Sequence, residues 1–151
     1  MKHQIATNES YPYTGVPGNC QRWPDRSNVE VTGVKYVPHY NESALINQLN
    51  KGPVIASVDA SQTIFVHYHS GILNSRTCKM RGNNHWLLIV GYGTTTADSD
   101  SGISSDYWII RNSWGKGWGL VNETLVEGKS ASGYAYIARS GNDHGICGIQ
   151  M

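Results

Sequence analysis

Two apolar segments of this chain end or begin on residues that could do chemistry. In "GNNHWLLIV" (82–90) a histidine, His85, opens a run of apolar side chains. In "IIRNSWGKGWG" (109–119) an asparagine, Asn112, closes one. A neutral imidazole has one donor and one acceptor nitrogen, and the partner of one nitrogen fixes what the other can do. An asparagine amide oxygen can hold the ring N–H without adding charge. An isolated histidine at a strand start is more often a hydrogen-bonded core residue. His85 becomes a candidate base because two neighbouring strands could bring Asn112 beside it. Trp114 could then cover the hydrogen bond from water, and Gly115, Gly117 and Gly119 would let the chain turn around that ring. An oriented imidazole next to a cysteine is the general scheme of an activated thiolate nucleophile. The chain holds three cysteines, Cys20, Cys78 and Cys147.

Strands must position these groups. "VEVTGVKYV" (29–37), "PVIASVDA" (53–60), "YWIIRNSW" (107–114) and "GYAYIARS" (133–140) have strand character, the first and last by alternation. "HWLLIVGYG" (85–93) does not alternate, so burial on both faces is expected. Asn41 is placed to cap a helix whose face carries Ala44, Leu45, Gln48 and Leu49, and Gly52-Pro53 stops it. "SQTIFVHYHSGIL" (61–73) predicts a short helical turn leading into an extended segment, and 9–20 predicts a loop. The elements together predict an α+β domain with a mostly antiparallel sheet or barrel.

Composition narrows the function classes. The 151 residues fit one domain with a real core, and no repeat or linker divides them. A net charge of +1, with basic residues scattered and nearly balanced by acids, excludes a nucleic-acid footprint. No apolar run reaches bilayer length, and "MKHQIATNES" is not a secretory leader. Neither membrane nor nucleic acid is an expected partner. Nine Tyr and five Trp against one Phe favour rings with polar tips, and seventeen Gly favour tight turns. "DSDSG" (98–102) lacks the remaining ligands of a calcium loop. His67, His69 and Cys78 match no structural zinc spacing, so no metal or other cofactor is expected. Asn8, Asn41 and Asn122 each begin an N-glycosylation sequon.

The segments "ESYPYTG", "NHWLLIVGYG", "YWIIRNSWGKGWG" and "GYAYIARSGNDHGICGI" resemble, in order, the papain-like cysteine proteases of the cathepsin L and plant papain group. The resemblance covers about residues 5–151, and its Asn-Ser-Trp-Gly-x-Gly-Trp-Gly segment is specific. It implies a papain-like C-terminal lobe, an antiparallel β-barrel-like sheet with short helices. His85 would be the catalytic base, Asn112 its orienter, Trp114 the shield of the pair, and Trp118 a lining of the primed side of the cleft. The chemistry implied is peptide-bond hydrolysis through an acyl-thioester. Cys78 and Cys147 match the family's disulfide within this lobe, and Cys20 matches a cysteine bridged to the N-terminal lobe. A lysosomal, vacuolar or secreted location would follow, with glycans at Asn8, Asn41 and Asn122.

The departures are as informative. The "C-G-S-C-W"-type helix that carries the family's nucleophile, and the glutamine of its oxyanion hole, have no counterpart in these residues. The resemblance therefore implies an N-terminal Cys-bearing lobe as partner, besides a peptide or protein substrate and a pro-segment or protein inhibitor. By alignment Ser57, Asn83, Asn84 and Trp86 would contribute to substrate binding. Asn83-Asn84 replaces the commoner apolar-acidic or Gly-containing pair, and Trp86 is large where the family often has a small residue. A narrowed or reshaped pocket is expected. Two insertions, 94–106 and 120–132, are expected as surface loops. A non-catalytic relative used in binding or assembly, or a fragment that folds without enzymatic activity, stays open beside the peptidase reading.

Overall fold

The computed structural model describes residues 3–20, 26–79, 81–95, 105–124, 130–139 and 144–149. They fall into two compact units, 1–36 and 37–151. In the first, β1 (His3–Ala6) pairs antiparallel with β2 (Arg26–Val31), from His3 opposite Val31 to Ala6 opposite Arg26. The strand expected over 29–37 ends at Val31, opposite His3. Residues 9–20 are turn and coil, as their Pro, Gly and Asn content predicts, and Cys20 is exposed with a free thiol.

The second unit carries the candidate site. Its main sheet runs β3 (Val54–Val58), β5 (His85–Thr94), β6 (Asp106–Arg111), β9 (Tyr134–Ala138), β4 (Ile72–Leu73). Neighbours are antiparallel except β4, which joins β9 in parallel. Alternate residues point to one face, and Val58, Leu87, Ile89, Trp108, Ile110, Ala135 and Ile137 build a single core there. The helix α1 (Glu42–Leu49) starts where the Asn41 side chain accepts the Ala44 amide at 2.9 Å. It buries Leu45, with Ile46 and Leu49 packed against the core, and Arg139 fastens it through a 2.8 Å ion pair to Glu42. The short α2 (Thr63–Val66) buries Phe65.

Two sequence expectations change here. The run 85–93 is not buried on both faces. Leu87 and Ile89 enter the core, but Trp86 is 68% exposed and Ile55 on the paired strand 69%. The run is apolar throughout because its second face lines an open groove. Of the two insertions, 120–132 is not a simple loop: β7 (Gly119–Thr124) pairs antiparallel with β8 (Ser130–Ser132). The 94–106 insertion continues the β5–β6 ladder one step, with the Thr95 amide donating to Ser105 at 2.9 Å. Its tip, including "DSDSG", lies outside the described residues.

Cys78 and Cys147 are joined in a disulfide, both buried, closing a loop of 69 residues beside a 3-10 turn at Ile146–Gly148. Among the described residues no helix is long and apolar enough to cross a membrane, and no group of three or more His, Cys, Asp or Glu could hold a metal ion.

Candidate active site

His85 is the first residue of β5, and Asn112 follows the last residue of β6. The two strands are antiparallel neighbours with Leu88 opposite Arg111, so the start of one lies beside the end of the other. The Asn112 amide is pinned by its own backbone N–H, which donates to the Gly133 carbonyl at 2.9 Å. In that position Asn112 Oδ1 stands 2.8 Å from His85 Nε2.

The protonation pattern follows from a second bond. The Ser113 backbone N–H, which can only donate, points at the same Oδ1 at 2.7 Å. That fixes the amide with its oxygen toward the imidazole. Asn112 Oδ1 is then an acceptor for both, so His85 Nε2 carries a hydrogen, and in the neutral ring Nδ1 is the acceptor nitrogen. Among the described residues Nδ1 has no hydrogen-bond partner. The ring is therefore oriented on one side and left open for proton transfer on the other. Asn112 is only 7% exposed, and its Nδ2 is buried without a partner among the described residues.

The aromatic residues divide into a cover and a foundation. Trp114 lies 4.9 Å from the His85 ring at an interplanar angle of 37° and is 41% exposed. Trp118, expected to line a cleft, is buried instead. Its indole N–H donates to the Phe65 carbonyl at 2.9 Å, and its ring packs on Phe65 and Tyr68 at 5.4 and 5.6 Å. Trp114 meets Trp118 edge-on at 5.7 Å, so the buried indole supports the exposed one. Glycine is required at position 119. Its φ is +96°, and a Cβ there would strike the Tyr134 backbone. Gly115 also has positive φ (+82°), whereas Gly117 does not.

The residues placed on the substrate side separate. Asn83 Nδ2 donates to Ser57 Oγ at 2.8 Å, and Ser57 is paired with Trp86 across β3 and β5. These three form one patch. Asn84 turns the other way: its Nδ2 donates to Asp59 at 3.0 Å and its Oδ1 accepts the Ala60 amide at 2.9 Å. Trp86 continues into an open groove lined by Ile55, Leu88, Arg111, Asn112 and Ser113. Of the sequons, Asn8 is exposed in a turn and Asn41 is exposed with its oxygen used by the helix cap. The Asn122 side chain lies outside the described residues.

Sequence reasoning missed Asp59. It is 0% exposed, and it accepts the Ser61 amide and hydroxyl, the Arg81 amide and the Asn84 side chain. Burial by itself would raise the carboxyl pKa; the donors from Ser61, Arg81 and Asn84 outweigh it and hold the pKa at about 2. The available signal was "DAS" directly after an apolar strand, an acid with a serine two residues on, which favours a side-chain-to-backbone turn.

Comparison with known proteins decides the family. The model of the papain family cysteine proteases matches residues 1–151. The chain belongs to that family. It is 36% identical to mouse Testin-2 over 145 residues and 35% identical to human Cathepsin L2 over 146. Each match covers 96% of this chain but only 39% of the relative. Among solved structures, bromelain from Ananas comosus in complex with the E64 inhibitor superposes with a TM-score of 0.71 at 34% identity, over 97% of this chain and 59% of that one. Digestive procathepsin L2 from Tenebrio molitor gives 0.73 at 34% identity, over 97% and 40%. The fold is the α+β, sheet-dominated lobe of papain-like proteases.

Proposed function

We propose that residues 1–151 form the C-terminal, histidine- and asparagine-bearing lobe of a papain-type cysteine endopeptidase. The observation that carries this reading is the His85–Asn112 hydrogen bond through Nε2, which leaves Nδ1 open. In this reading an N-terminal lobe supplies the thiol. Nδ1 takes its proton, and the resulting imidazolium keeps the sulfur as thiolate, the attacking species. The thiolate adds to the scissile carbonyl, and the imidazolium then protonates the leaving amine as the acyl-thioester forms. His85 next takes a proton from water, whose oxygen attacks the thioester and releases the acid. Asn112 holds the ring without exchanging protons, and Trp114 limits the access of water to their bond.

On the substrate side, Ser57, Asn83 and Trp86 would wall the pocket for the residue two before the scissile bond. The Asn83–Ser57 bond makes one wall polar and Trp86 fills space, which favours smaller side chains there than a wide apolar pocket would. Asn84 faces Asp59 and shapes this pocket from behind. The remaining partners proposed are a pro-segment or protein inhibitor, and Cys20 would bridge to the N-terminal lobe. The location that fits is a lysosome, a vacuole or the exterior, where the sequons at Asn8, Asn41 and Asn122 could be glycosylated.

The isolated chain is then inactive, because it supplies the imidazole and its orienter but neither the nucleophile nor the oxyanion donors. The test is hydrolysis of a fluorogenic dipeptide with reductant, by the chain with and without the N-terminal lobe. Turnover that needs the added lobe, is blocked by a thiol-alkylating epoxide, and is abolished by His85→Ala is expected. Asn112→Ala should cost less than His85→Ala, since it removes only the orienter. Epoxide-sensitive hydrolysis by the 151-residue chain alone would overturn the reading.

A further inference from the structure

The Asn83-Asn84 pair precedes His85, and the two amides face opposite ways. Asn84 makes three hydrogen bonds, all to the end of β3 and the turn after it. Its backbone N–H donates to the Val58 carbonyl at 3.1 Å, its Oδ1 accepts the Ala60 amide at 2.9 Å, and its Nδ2 donates to Asp59 Oδ1 at 3.0 Å. Asp59 Oδ1 also accepts the Ser61 amide at 3.0 Å and hydroxyl at 2.6 Å, while Oδ2 accepts the Arg81 amide at 2.7 Å. The Asp59 amide donates to the Cys147 carbonyl at 2.8 Å. One fully buried aspartate therefore ties the end of β3 to the approach to β5 through its carboxylate, and to the disulfide-bearing turn through its backbone N–H.

We propose that Asp59 is a positioning residue for His85, acting through Asn84. His85 lies directly opposite Val58 in the β3–β5 register, one residue from Asn84 and one from Asp59. The side-chain bonds from Asn84 fix the backbone that carries the imidazole at the one end of β5 where the ladder stops. Without the carboxylate, the Asn84 side chain, the Arg81 amide and the Ser61 donors lose their shared acceptor, and the tie from Asn84 to Asp59 is gone. The arrangement also accounts for an amide at position 84. An aspartate there would set a second carboxylate against Asp59 at the 3.0 Å contact now made by an N–H donor, and like charges at that range oppose ionisation.

This inference rests on His85 being the base, but its test needs no turnover and so fails or stands separately from the peptidase reading. The ring N–H that bonds Asn112 is followed by NMR in the full ¹⁵N-labelled chain, as its rate of exchange with water. Asp59→Ala and Asn84→Ala should each speed that exchange at least tenfold. Asp59→Asn keeps an oxygen for Asn84 and Ser61 and should stay within about threefold of the parent. Ser61→Ala, which removes a donor but not the link to Asn84, should leave the rate unchanged. Asn84 is an exposed side chain, so Asn84→Ala carries the test if Asp59→Ala does not fold. An unaltered His85 ring N–H in Asn84→Ala, with only a lower melting temperature in the Asp59 variants, would overturn the proposal and leave Asp59 a purely structural residue.

Discussion

The Trp114 indole lies 4.9 Å from the His85 imidazole, while it also meets the Phe65 ring edge-on at 5.7 Å. An exposed aromatic is thus held at the histidine by a buried one. Trp114→Ala should admit water to the His85–Asn112 bond, whose net value is small once water competes for its groups. Faster exchange of the bonded ring N–H is the expected result. Because Trp114 is 41% exposed, the loss of stability should fall below the ~3–5 kcal/mol typical of deleting a buried tryptophan. Thermal melts and NMR exchange measure the two effects, and unchanged exchange would remove the shielding role.

Acid stability should depend on Asp59. Its pKa is lowered in the folded chain, from an ordinary 3.8 to about 2. The unfolded state therefore binds the proton first as pH falls. The stabilisation is complete above the unfolded pKa and is lost as pH drops from about 4 toward 2. It amounts to about 2 kcal/mol. The hydrogen-bond donors to the carboxylate are all uncharged groups, so salt should change this little. Urea melts across that pH range should show the parent losing stability faster than Asp59→Asn; parallel curves would refute the assignment.

Gly119→Ala should destabilise by at least about 1 kcal/mol, because alanine at positive φ is strained and its methyl meets the Tyr134 backbone. The damage should reach the site, since Trp118 O accepts the Gly133 amide and Gly133 O accepts the Asn112 amide. A drop in melting temperature with perturbed Asn112 and Ser113 amide shifts is the expected signature.

Removing the Cys78–Cys147 bridge should cost about 4 kcal/mol on the chain-entropy estimate for a loop of 69 residues. Paired Cys78→Ala/Cys147→Ala substitution, read by denaturant midpoint, tests it. Mapping of disulfides under non-reducing conditions should find Cys20 outside this bridge.

The site was legible where chemistry and backbone agree. His85 and Asn112 stood out because each interrupts an apolar strand at its end, and antiparallel pairing is the simplest way to join two such ends. Asn41 was legible as a cap because an N-cap is a local device. Asp59 was only partly so: the serine two residues on hinted at a local turn, but the donors 22 and 25 residues away have no local signature. Trp118 was misplaced because a tryptophan between glycines in a turn does not reveal which way its ring points. The open face of β5 escaped for a related reason. A strand buried on both sides and one with a groove on its second side have the same apolar composition. The β1 strand was missed because "HQIA" is too short to alternate, and β7–β8 because their pairing is interrupted between Gly119 and Thr124.

The ladder between β5 and β6 has a consequence for how this lineage can vary. His85 and Asn112 sit at the open end of a single hairpin, 27 residues apart, and the Thr95–Ser105 bond closes the ladder toward the opposite end. Length added beyond that closure leaves the register of the ten-residue β5 intact. Loop entropy grows only logarithmically, about 0.6 kcal/mol for each doubling. The tip is therefore a tolerant port: a tag, an epitope or an evolved binding loop can be spliced between Thr95 and Ser105 while the distance between imidazole and amide stays as it is. Splicing at the other end, between Arg111 and Trp114, would have no such latitude.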